Sequence, residues 1–359
     1  MKYIILNLLG YHILTFVIVM INYILKDKFK KNIQPINKKI SFLIPARNEE
    51  KKIGNLINQL IKIKDLNIEI IIYNDLSTDN TKQIIEEFQK IDKRIKLIEG
   101  KELEKGWLGK NYACYNLAKK ADGEIIIFLD ADVNINIDYL NYIVNYFTKN
   151  KLTLWSIFPT QIMKTIGEKL VVPIMNNILI TFLPLIFVEK LKTPLFSAAN
   201  GQILIFEKEI YNKLQPHSKF KDNKVEDIFI AKYYKSNKHL IKCSIDDNFI
   251  SCRMYENFND ALNGFTKNIK EMMVNSYIIG FLFVLFNLLP FILIYKSKII
   301  LMIISIIYMK AIMISLISKQ NIIINVIFFP LQQIIIFTLL IKRIINNMTG
   351  NLEWKGRKI

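Results

Sequence analysis

The sequence is poor in cysteine and histidine, with three residues of each type. Cys114, Cys243 and Cys252 form no CxxC pair, and the histidines show no metal-ligand spacing. Widely separated cysteines in odd number argue against a disulfide framework, and the missing ligand pairs argue against a zinc site. The phosphate-binding fingerprints GxGxxG and GxxxxGKS/T are also absent, which argues against a Rossmann dehydrogenase or a P-loop enzyme.

Charge is missing from the first part of the chain, where no charged residue lies between Lys2 and Lys26. A helix of that length extends about 35 Å, enough to cross the hydrocarbon core of a bilayer. No alanine precedes Ala46, so this segment has no small-residue cleavage site and we expect residues 1–25 to be an uncleaved anchor. The 52% hydrophobic content and the mean hydropathy of +0.24 also favour a membrane protein.

Further apolar runs lie in the second half of the chain. Met272–Tyr295 and Gln320–Ile341 are uncharged, whereas Ile299–Ser318 is interrupted by Lys310. Residues 171–188 contain two prolines and two asparagines, and we expect an interfacial or re-entrant segment there. The expected organisation is therefore an anchor at 1–25, a cytoplasmic catalytic domain at 26–271, membrane helices at 272–341 and a basic tail at 342–359.

The formal net charge is +18, but no nucleic-acid recognition module is present, so we expect no nucleic-acid partner. Lysines that follow the first apolar segment predict that the next domain faces the cytoplasm, with a multi-pass protein in the cell membrane and the lipid bilayer as a partner. Three spans after residue 271 would leave the basic tail outside. We expect the tail inside, and Lys310 makes 299–318 the segment least suited to cross.

The region after the anchor alternates strand and helix patterns. Apolar strand-like runs are predicted at Ile40–Ile44, Ile68–Tyr73, Ile95–Ile98 and Glu124–Leu129, with helices at spacing 3.6 between them. Such alternation predicts an α/β fold with a mostly parallel sheet and helices on both faces, which binds ligands at the carboxyl ends of its strands. Three polar clusters follow these strands, at 45–50, 74–79 and 130–132.

Asp130 and Asp132 come directly after the fourth strand-like run. Their i, i+2 spacing points both carboxylates to one side of an extended backbone. Hard oxygen ligands in this arrangement suit Mg²⁺ or Mn²⁺ bound to a diphosphate.

Five ordered motifs resemble those of family 2 glycosyltransferases, the inverting enzymes with a GT-A fold, a nucleotide-diphospho-sugar transferase fold. The resemblance covers about residues 39–271, with Asn74 and Leu76 replacing an Asp and a Gly that the family usually carries in its second motif. The motifs are SFLIPARNEE (41–50), NDLSTD (74–79), GWLGKN (106–111), DAD (130–132) and the pair ANGQ (199–202) with VED (225–227).

This resemblance implies roles for individual residues. Asp132 binds the metal and Asp130 binds metal or ribose; Asp227 is the base that deprotonates the acceptor. Alternatives remain for several of them: Glu49 and Asp227 also suit helix N-termini, and Arg47 and Lys110 also suit solvated surfaces. The other implied contacts are with the donor base and ribose (Pro45, Arg47, Glu49, Asp75), a phosphate (Lys110), the acceptor side (Asn200, Gln202, Glu226) and closure of the site (Arg253, Tyr255, Trp354, Arg357).

A narrower similarity, in 253–255, 264–268 and 354–357, is to bacterial glycosyltransferases of the diaponeurosporenoate (C30 carotenoid) type. It implies transfer of a hexose such as glucose from a UDP-sugar to a carotenoid, polyisoprenoid or other membrane lipid. A processive polysaccharide synthase is the alternative enzyme, although its QxxRW signature is absent. A non-catalytic protein that binds a lipid or partner is the remaining alternative, suggested by Asn74 and Leu76.

Overall fold

A computed structural model describes residues 2–31, 37–64, 66–349, 353–354 and 357–358. The chain forms two compact units, which are considered separately. The sheet unit comprises residues 27–160 and 187–252, and the helical unit comprises residues 1–26, 161–186 and 253–359. The range 26–271, expected to be one domain, therefore contributes 161–186 and 253–271 to the helical unit.

The sheet unit contains a seven-stranded sheet of order β3-β2-β1-β4-β8-β6-β9. Strands β1 to β4 are parallel, as the alternating sequence pattern predicts, whereas β8 runs antiparallel to both of its neighbours. Two short strands, β5 and β10, pair antiparallel in a second small sheet. The strands are β1 (Ile40–Ala46), β2 (Ile68–Asn74), β3 (Ile95–Glu99), β4 (Ile125–Leu129), β5 (Val133–Ile135), β6 (Leu154–Phe158), β7 (Thr160–Gln161), β8 (Ile203–Glu207), β9 (Ile241–Ile245) and β10 (Ile250–Cys252).

The two central strands separate at their carboxyl ends. Pairing of β1 with β4 ends at Leu43 opposite Phe128, while pairing of β1 with β2 continues to Ala46 opposite Asn74. Pro45, which has no backbone N–H, lies where the β4 ladder has already ended, so no sheet hydrogen bond is lost on that side. The direction of the strand order reverses between β1 and β4, and a crevice at such a point is the usual ligand site of an open α/β sheet.

Amphipathic helices cover this sheet. In α2 the apolar side chains recur at helical spacing, and Ile53, Leu56 and Leu60 are fully buried. The helix that follows β2 begins at Thr81, because Asp79 accepts hydrogen bonds from the Thr81 N–H and hydroxyl. The helices are α2 (Ile53–Leu60), α3 (Thr81–Ile91), α4 (Gly109–Lys120), α5 (Leu140–Lys149), α8 (Ile186–Lys190), α9 (Lys208–Leu214), α10 (Pro216–Lys219) and α11 (Glu226–Ser236), with a 3₁₀ turn at Ile137–Tyr139.

Among the described residues, three helices of the helical unit are long and apolar enough to cross a membrane: α1, α14 and α16. The bent pair α12 and α13 would be a fourth candidate if it forms one span. The run 272–295, expected to be a full span, contains only the 16-residue α13, bent by 105° against α12. The run 320–341 is broken at Phe328, and its second helix continues to Thr349. The helices are α1 (Lys2–Ile24), α6 (Ile166–Val171), α7 (Pro173–Phe182), α12 (Phe258–Met272), α13 (Tyr277–Ile292), α14 (Lys298–Ser318), α15 (Ile322–Ile327) and α16 (Phe329–Thr349).

Helix α14 runs parallel to α1. Ile5 and Leu8 pack with residues 300–307, and further along both helices the Lys310 ammonium donates to Thr15 Oγ1 at 2.8 Å. Lys310 also contacts His12 Nδ1 at 3.1 Å. Lys310, the charge that makes this segment the least suited to cross, is thus buried against polar groups of α1. That 299–318 is the segment that does not cross stays a prediction.

Helices α13 and α16 are antiparallel. Tyr277 accepts a hydrogen bond from Asn347, and the ring of Phe291 lies 6.5 Å from that of Phe329. Phe329 belongs to the apolar cluster around Ile304 and Ile307, beside the middle of α14. Helix α16 therefore begins deep within the helical unit rather than at one end of it.

The segment 171–188 forms α7 and the start of α8, with Pro173 in the first turn of α7. Asn22 of α1 donates to the carbonyls of Ile180 and Leu183. These contacts attach α7 to the C-terminal half of α1. In the basic tail, the described backbone pairs β11 (Glu353–Trp354) with β12 (Arg357–Lys358) as a short hairpin, and Lys355 and Gly356 lie outside the described residues.

Candidate active site

The carboxylates predicted to bind metal lie at the end of β4, beside the opening between β1 and β4. The Asp130 N–H donates to the carbonyl of Gln202 at 3.0 Å, which ties the DAD segment to the start of β8. Asp130 is 28% exposed at its side chain and Asp132 is 17% exposed. Both carboxylates are accessible from the opening while their backbone is fixed by the sheet.

Lys110, the residue of α4 expected to reach a phosphate, lies among acidic groups. Its ammonium is 2.8 Å from Asp130 Oδ1 and 3.8 Å from Glu226 Oε1, and it donates to the Gly201 carbonyl at 3.3 Å. Burial alone would lower the pKa of Lys110, but Asp130 and Glu226 raise it well above its usual value. Lys110 is therefore a permanent cation that links the β4 end to the start of α11.

Gly201 is the point at which these groups converge. A Cβ atom at this position would lie 3.1 Å from Lys110 Nζ, 3.5 Å from Glu226 Oε1 and 3.6 Å from Asp227 Oδ2. A side chain here would therefore touch both carboxylates and require the Lys110 ammonium to shift by a few tenths of an ångström. The ANGQ and VED segments, separated in sequence, thus meet around one glycine.

Asp227, the predicted base, lies in the first turn of α11. Its Oδ1 accepts a hydrogen bond from the Ile228 N–H at 2.8 Å. Burial raises the pKa of Asp227, and it raises that of the neighbouring Glu226 to about 7, opposed in both cases by the Lys110 charge. A carboxylate with a raised pKa is a better proton acceptor than an ordinary aspartate, as a general base requires.

Asp132 has an oxygen suited to a cation. Its Oδ1 is buried and makes no hydrogen bond of ordinary geometry among the described residues, and its Oδ2 lies 3.6 Å from Lys52 Nζ. The Cys252 thiol lies against the same carboxylate and slightly lowers its pKa. Burial and the adjacent Asp130 charge raise the pKa of Asp132 to about 6. A buried carboxylate oxygen without a donor is expensive unless a cation or another donor reaches it.

The donor set fits Mg²⁺ or Mn²⁺ held jointly with a substrate. Within the described ranges, no group of three His, Cys, Asp or Glu side chains has metal-binding geometry. Mg²⁺ usually binds through one or two carboxylates together with substrate phosphates rather than in an all-protein cage. Asp130 and the unpartnered Asp132 oxygen match that requirement, and the ligands would be completed by a diphosphate.

The loops after β1 and β2 interlock at the same edge of the sheet. Arg47 donates to the Asp75 carbonyl at 2.7 Å, and its guanidinium lies 3.9 Å from the Asp75 carboxylate, which is 8% exposed. Asn48 Oδ1 accepts from the Thr78 N–H at 2.9 Å. These contacts place Arg47 and Asp75 together, as required for a shared base-binding pocket.

The structure explains both residues that differ from the family's usual second motif, Asn74 and Leu76. Asn74 donates to Glu99 and accepts from the Ser77 N–H, so its amide organises the turn. Leu76 has a φ of +51°, the left-handed conformation that favours glycine. This backbone conformation explains why the family usually has glycine at this position. Leu76 adopts the same left-handed conformation at the cost of backbone strain.

The other predicted donor and acceptor residues of the sheet unit lie near these groups. The Glu49 N–H donates to Thr81 Oγ1, and the negative charge of Glu49 contributes to the raised pKa of Asp132. Asn200 exchanges hydrogen bonds with Ser156 through its backbone, and Gln202 contacts Cys252 Sγ at 2.8 Å. Asn200 and Gln202 thus support the strand that carries Gly201.

The predicted closure residues belong to the helical unit. Arg253 forms an ion pair with Glu168 at 2.8 Å, and the ring of Tyr255 lies 5.8 Å from that of Phe265. The backbone of Trp354 is paired with that of Arg357 in the tail hairpin. Their roles in closing the site stay predictions.

Three contributors were missed by sequence reasoning: Lys52 beside Asp132, Cys252 beside Gln202, and Gly201 at the centre. Gly201 lies within the ANGQ motif, between two residues predicted to contact the acceptor. Its position in that motif could therefore have indicated a role in the site. Lys52 is one of many lysines in this chain, and no sequence pattern distinguishes it.

Part of the chain matches the model of a known protein family. Residues 41–171 match the model of the family described as Glycosyl transferase family 2. These residues are thus similar to family 2 glycosyltransferases. The match spans the strands from β1 to β7, including the DAD segment, and it agrees with the family resemblance of the sequence motifs.

Two curated relatives extend this similarity beyond residue 171. The chain is 28% identical over 243 residues to the 4,4'-diaponeurosporenoate glycosyltransferase of Staphylococcus haemolyticus, covering 67% of this chain and 63% of that protein. It is 26% identical over 241 residues to the protein of the same name from Staphylococcus aureus, covering 65% of this chain and 61% of that protein. The chain thus matches less than two thirds of the length of each.

A solved structure confirms the fold class. The mannosyltransferase PcManGT from Pyrobaculum calidifontis, solved in complex with GDP-Man and Mn²⁺, aligns with a TM-score of 0.57 at 14% identity, over 96% of this chain and 99% of that one. The fold is therefore GT-A with additional membrane-type helices, as predicted.

Proposed function

We propose that this protein is an inverting glycosyltransferase of the membrane, which moves a hexose from a UDP-sugar to a lipid acceptor with help from a divalent cation. The observation that carries this proposal is the convergence of Asp130, Asp132, Lys110 and Asp227 at the open edge of the sheet. Metal ligands, a fixed cation and a base of raised pKa occur together there. This set contains what displacement of a nucleoside diphosphate requires.

The carboxylate of Asp227 is the proposed base. It accepts the proton of the acceptor hydroxyl or carboxylic acid while the acceptor oxygen bonds to the anomeric carbon of the sugar. The bond from that carbon to the diphosphate oxygen breaks on the opposite face, so the configuration inverts. The Ile228 N–H and the Gly201 loop hold Asp227 in position for this step.

Asp130 and Asp132 are the proposed metal ligands, and a bound divalent cation would neutralise the charge that builds on the departing diphosphate. Lys110 holds Asp130 and Glu226 in place by charge. Arg47 and Asp75 would bind the uracil ring, since a carboxylate accepts from its N–H and a guanidinium donates to its carbonyl oxygens. Pro45 and Glu49 would complete the base and ribose pocket.

The helical unit supports a cytoplasmic location for the catalytic domain and for the tail. The chain enters the sheet unit directly after α1, and basic residues follow that helix. Helix α13, taken with α12 as one bent span, would return across the membrane. Helix α14, parallel to α1, would then cross again and bring Lys319 to the side of the membrane on which α1 ends. Helices α15 and α16 would then form a re-entrant hairpin, because α16 begins beside the middle of α14.

This topology removes the conflict in the sequence, since the hairpin leaves the tail on the side of the catalytic domain. Single cysteines introduced at Lys296 and at Lys342, in a background where Cys114, Cys243 and Cys252 are replaced by alanine, test it. In intact cells a membrane-impermeant maleimide should label position 296 and spare position 342. Labelling of position 342 would show that α16 crosses completely.

The lipid acceptor is proposed from the helical unit and from the names of the two curated relatives, which specify a carotenoid acid. A membrane-embedded carotenoid or polyisoprenoid with one hydroxyl or carboxyl group is the acceptor class we propose.

The test is UDP release by detergent-purified protein given UDP-glucose, Mg²⁺ or Mn²⁺ and a lipid extract of the source cells. We expect release that depends on the extract, stops with EDTA and is lost in Asp132→Ala. Mass spectrometry of the lipid should show an added hexose. A labelled polymer would indicate a polysaccharide synthase instead, and no release with any of several sugar nucleotides from folded protein would contradict the proposal.

A further inference from the structure

Lys235 is a buried lysine of the sheet unit that the proposed mechanism does not use. It lies in the last turn of α11 and is 3% exposed. Its ammonium donates to the backbone carbonyls of Phe196 at 2.5 Å, Leu191 at 2.8 Å, Phe187 at 3.3 Å and Thr193 at 3.5 Å. Among the described residues, its hydrogen-bond partners are carbonyl oxygens and none is a carboxylate. Lys235 is therefore a buried cation held by backbone groups alone.

A charge in this position has to be compensated by the groups around it. Burial of an ammonium without polar partners is costly, and the N–H groups of Lys235 are shared among these carbonyl oxygens. Burial lowers the pKa of Lys235 to about 8, so the ammonium still carries its charge at pH 7. Displacement of these carbonyls would leave the charge without partners. The ammonium therefore favours one arrangement of the backbone around it.

The carbonyls belong to residues 187–196, which we call the cage segment. Its two ends meet where the rings of Phe187 and Phe196 contact each other edge to face, with ring centroids 5.3 Å apart. Between these ends, the side chains of residues 190–195 are exposed and add little packing that could fix the backbone. The order of the cage segment therefore depends largely on the ammonium of Lys235.

The cage segment leads directly to the acceptor side of the candidate active site. Through residues 197–199 it continues to Asn200 and Gly201. Gly201 lies against the first turn of α11, since a Cβ atom there would be 3.6 Å from Asp227 Oδ2. Lys235 lies at the other end of the same helix. Helix α11 therefore contacts this stretch of chain at both of its ends, at the proposed base and at the cage segment.

We propose that Lys235 is a positioning residue for sugar transfer, whose ammonium orders the cage segment and thereby holds Asn200 and Gly201 against Asp227. This role rests on the proposed function. The side chains proposed to bind the donor and the metal come from the loops after β1, β2 and β4 and not from the cage segment. Removal of the ammonium should therefore impair transfer while donor binding is retained.

The first test is Lys235→Met in detergent-purified full-length protein, because methionine nearly keeps the length of the side chain and removes the ammonium. We expect kcat for UDP release to fall by about 10–100-fold, since a small misplacement of catalytic groups costs up to about 10²-fold. KM for UDP-glucose should stay unchanged. Rates are divided by the stoichiometry of UDP binding, so that unfolded protein is not counted. Lys232→Met, exposed on the same helix, is the matched control and should behave as the parent.

Chemical rescue tests whether the charge itself restores transfer. Lys235→Ala removes methylene groups and the ammonium, and n-propylammonium supplies both. Propanol has a similar size and no charge. We expect propylammonium to raise the normalised rate of Lys235→Ala by about tenfold and propanol to leave it unchanged. Equal rescue by propanol would show that lost volume rather than lost charge displaces the segment, and it would overturn the proposal.

Hydrogen exchange provides a readout that needs no substrate. The Leu191 and Phe196 amides donate to the Phe187 and Thr193 carbonyls, two of those that Lys235 holds. In the parent these amides should exchange slowly, and in Lys235→Met they should exchange about tenfold faster. Rapid exchange of both amides in the parent would overturn the proposal even if neither variant folds.

The measurements separate this role from the proposed function. No UDP release by the parent would contradict the glycosyltransferase proposal itself. UDP release by the parent with an unchanged normalised kcat in Lys235→Met would contradict only the role of Lys235. A KM for UDP-glucose that rises in step with the loss of kcat would also overturn that role, because it would show a disturbed donor site.

Discussion

Lys110→Met is predicted to move the acidic limb of the activity profile to higher pH. In the protein, the Lys110 charge opposes the rise in the pKa of Glu226 and Asp227 that burial causes. Removing it leaves these two carboxyls more difficult to ionise. Because the base must be ionised to accept a proton, the variant should need a higher pH to reach half of its maximal rate.

The size of this shift follows from the 3.8 Å that separates Lys110 Nζ from Glu226 Oε1. Coulomb attraction at about that distance is about 1 kcal/mol in water and about 4 kcal/mol at an effective dielectric constant near 20. One pH unit corresponds to about 1.4 kcal/mol. With the Glu226 side chain 8% exposed, we expect the limb to move up by about one to three pH units.

The assay is the pH dependence of kcat/KM for UDP release, which reports the ionisation of the free enzyme. Glu226 and Asp227 are adjacent, so the measured value belongs to the pair. Lys120→Met, at the exposed end of the same helix, is the matched control and should leave the profile unchanged.

An unchanged profile in Lys110→Met would refute this reasoning. A higher KM for the UDP-sugar with no shift in pH would instead favour the role suggested by the sequence, in which Lys110 binds a phosphate. The two roles are thus separated by one set of measurements.

Two further predictions concern stability. Leu76→Gly should raise the unfolding free energy by about 0.5–1 kcal/mol, because glycine adopts the φ of +51° without strain; a lower thermal midpoint would contradict this account of the turn. Glu168→Gln should lower the unfolding free energy by about 1–3 kcal/mol at pH 7, since the Glu168 side chain is 1% exposed and forms an ion pair with Arg253. Burial would raise the pKa of Glu168, but Arg253 and the Thr165 N–H lower it to about 2, below the 4.5 of the unfolded chain. This contribution is therefore complete above about pH 4.5 and lost as pH falls toward 2, and the difference between variant and parent should shrink over that window.

The local sequence was sufficient for the first half of the sheet. Strands β1, β2 and β4 are continuous apolar runs with a polar cluster immediately after each, and parallel strands bring such clusters to one edge. Strands β6, β8 and β9 were not predicted, because β8 runs antiparallel and is separated from β6 along the chain by β7 and the helices α6, α7 and α8. No short-range pattern reports that order.

The membrane helices show what hydropathy leaves open. The run 320–341 is apolar enough to span, yet it breaks at Phe328, and Phe329 packs beside Ile304 and Ile307. The length and composition of a segment predict whether it can span a membrane. They do not predict the depth in the membrane at which its helix begins. Likewise, Lys310 appeared unfavourable in sequence because its partners His12 and Thr15 lie on a distant helix.

The sequence predicted only part of the candidate site, because some of its contacts join distant segments of the chain. Each carboxylate lies in a motif that can be recognised in the sequence, but no motif shows which lysine connects the carboxylates. Lys110 contacts Asp130 and Glu226 only because α4 and the start of α11 meet at Gly201. Charge networks assembled from separate elements depend on the tertiary fold.

The most direct test of the account is the transfer rate of Asp227→Asn, measured beside its affinity for UDP. Asp222→Asn, an exposed carboxylate shortly before α11, is the matched control and should behave as the parent. The account predicts a loss of about 10²–10⁴-fold in transfer for Asp227→Asn with UDP affinity preserved, the range expected when a general base is removed. A folded Asp227→Asn protein that transfers sugar at the parental rate would contradict the assignment of the base and the chemistry proposed for this site.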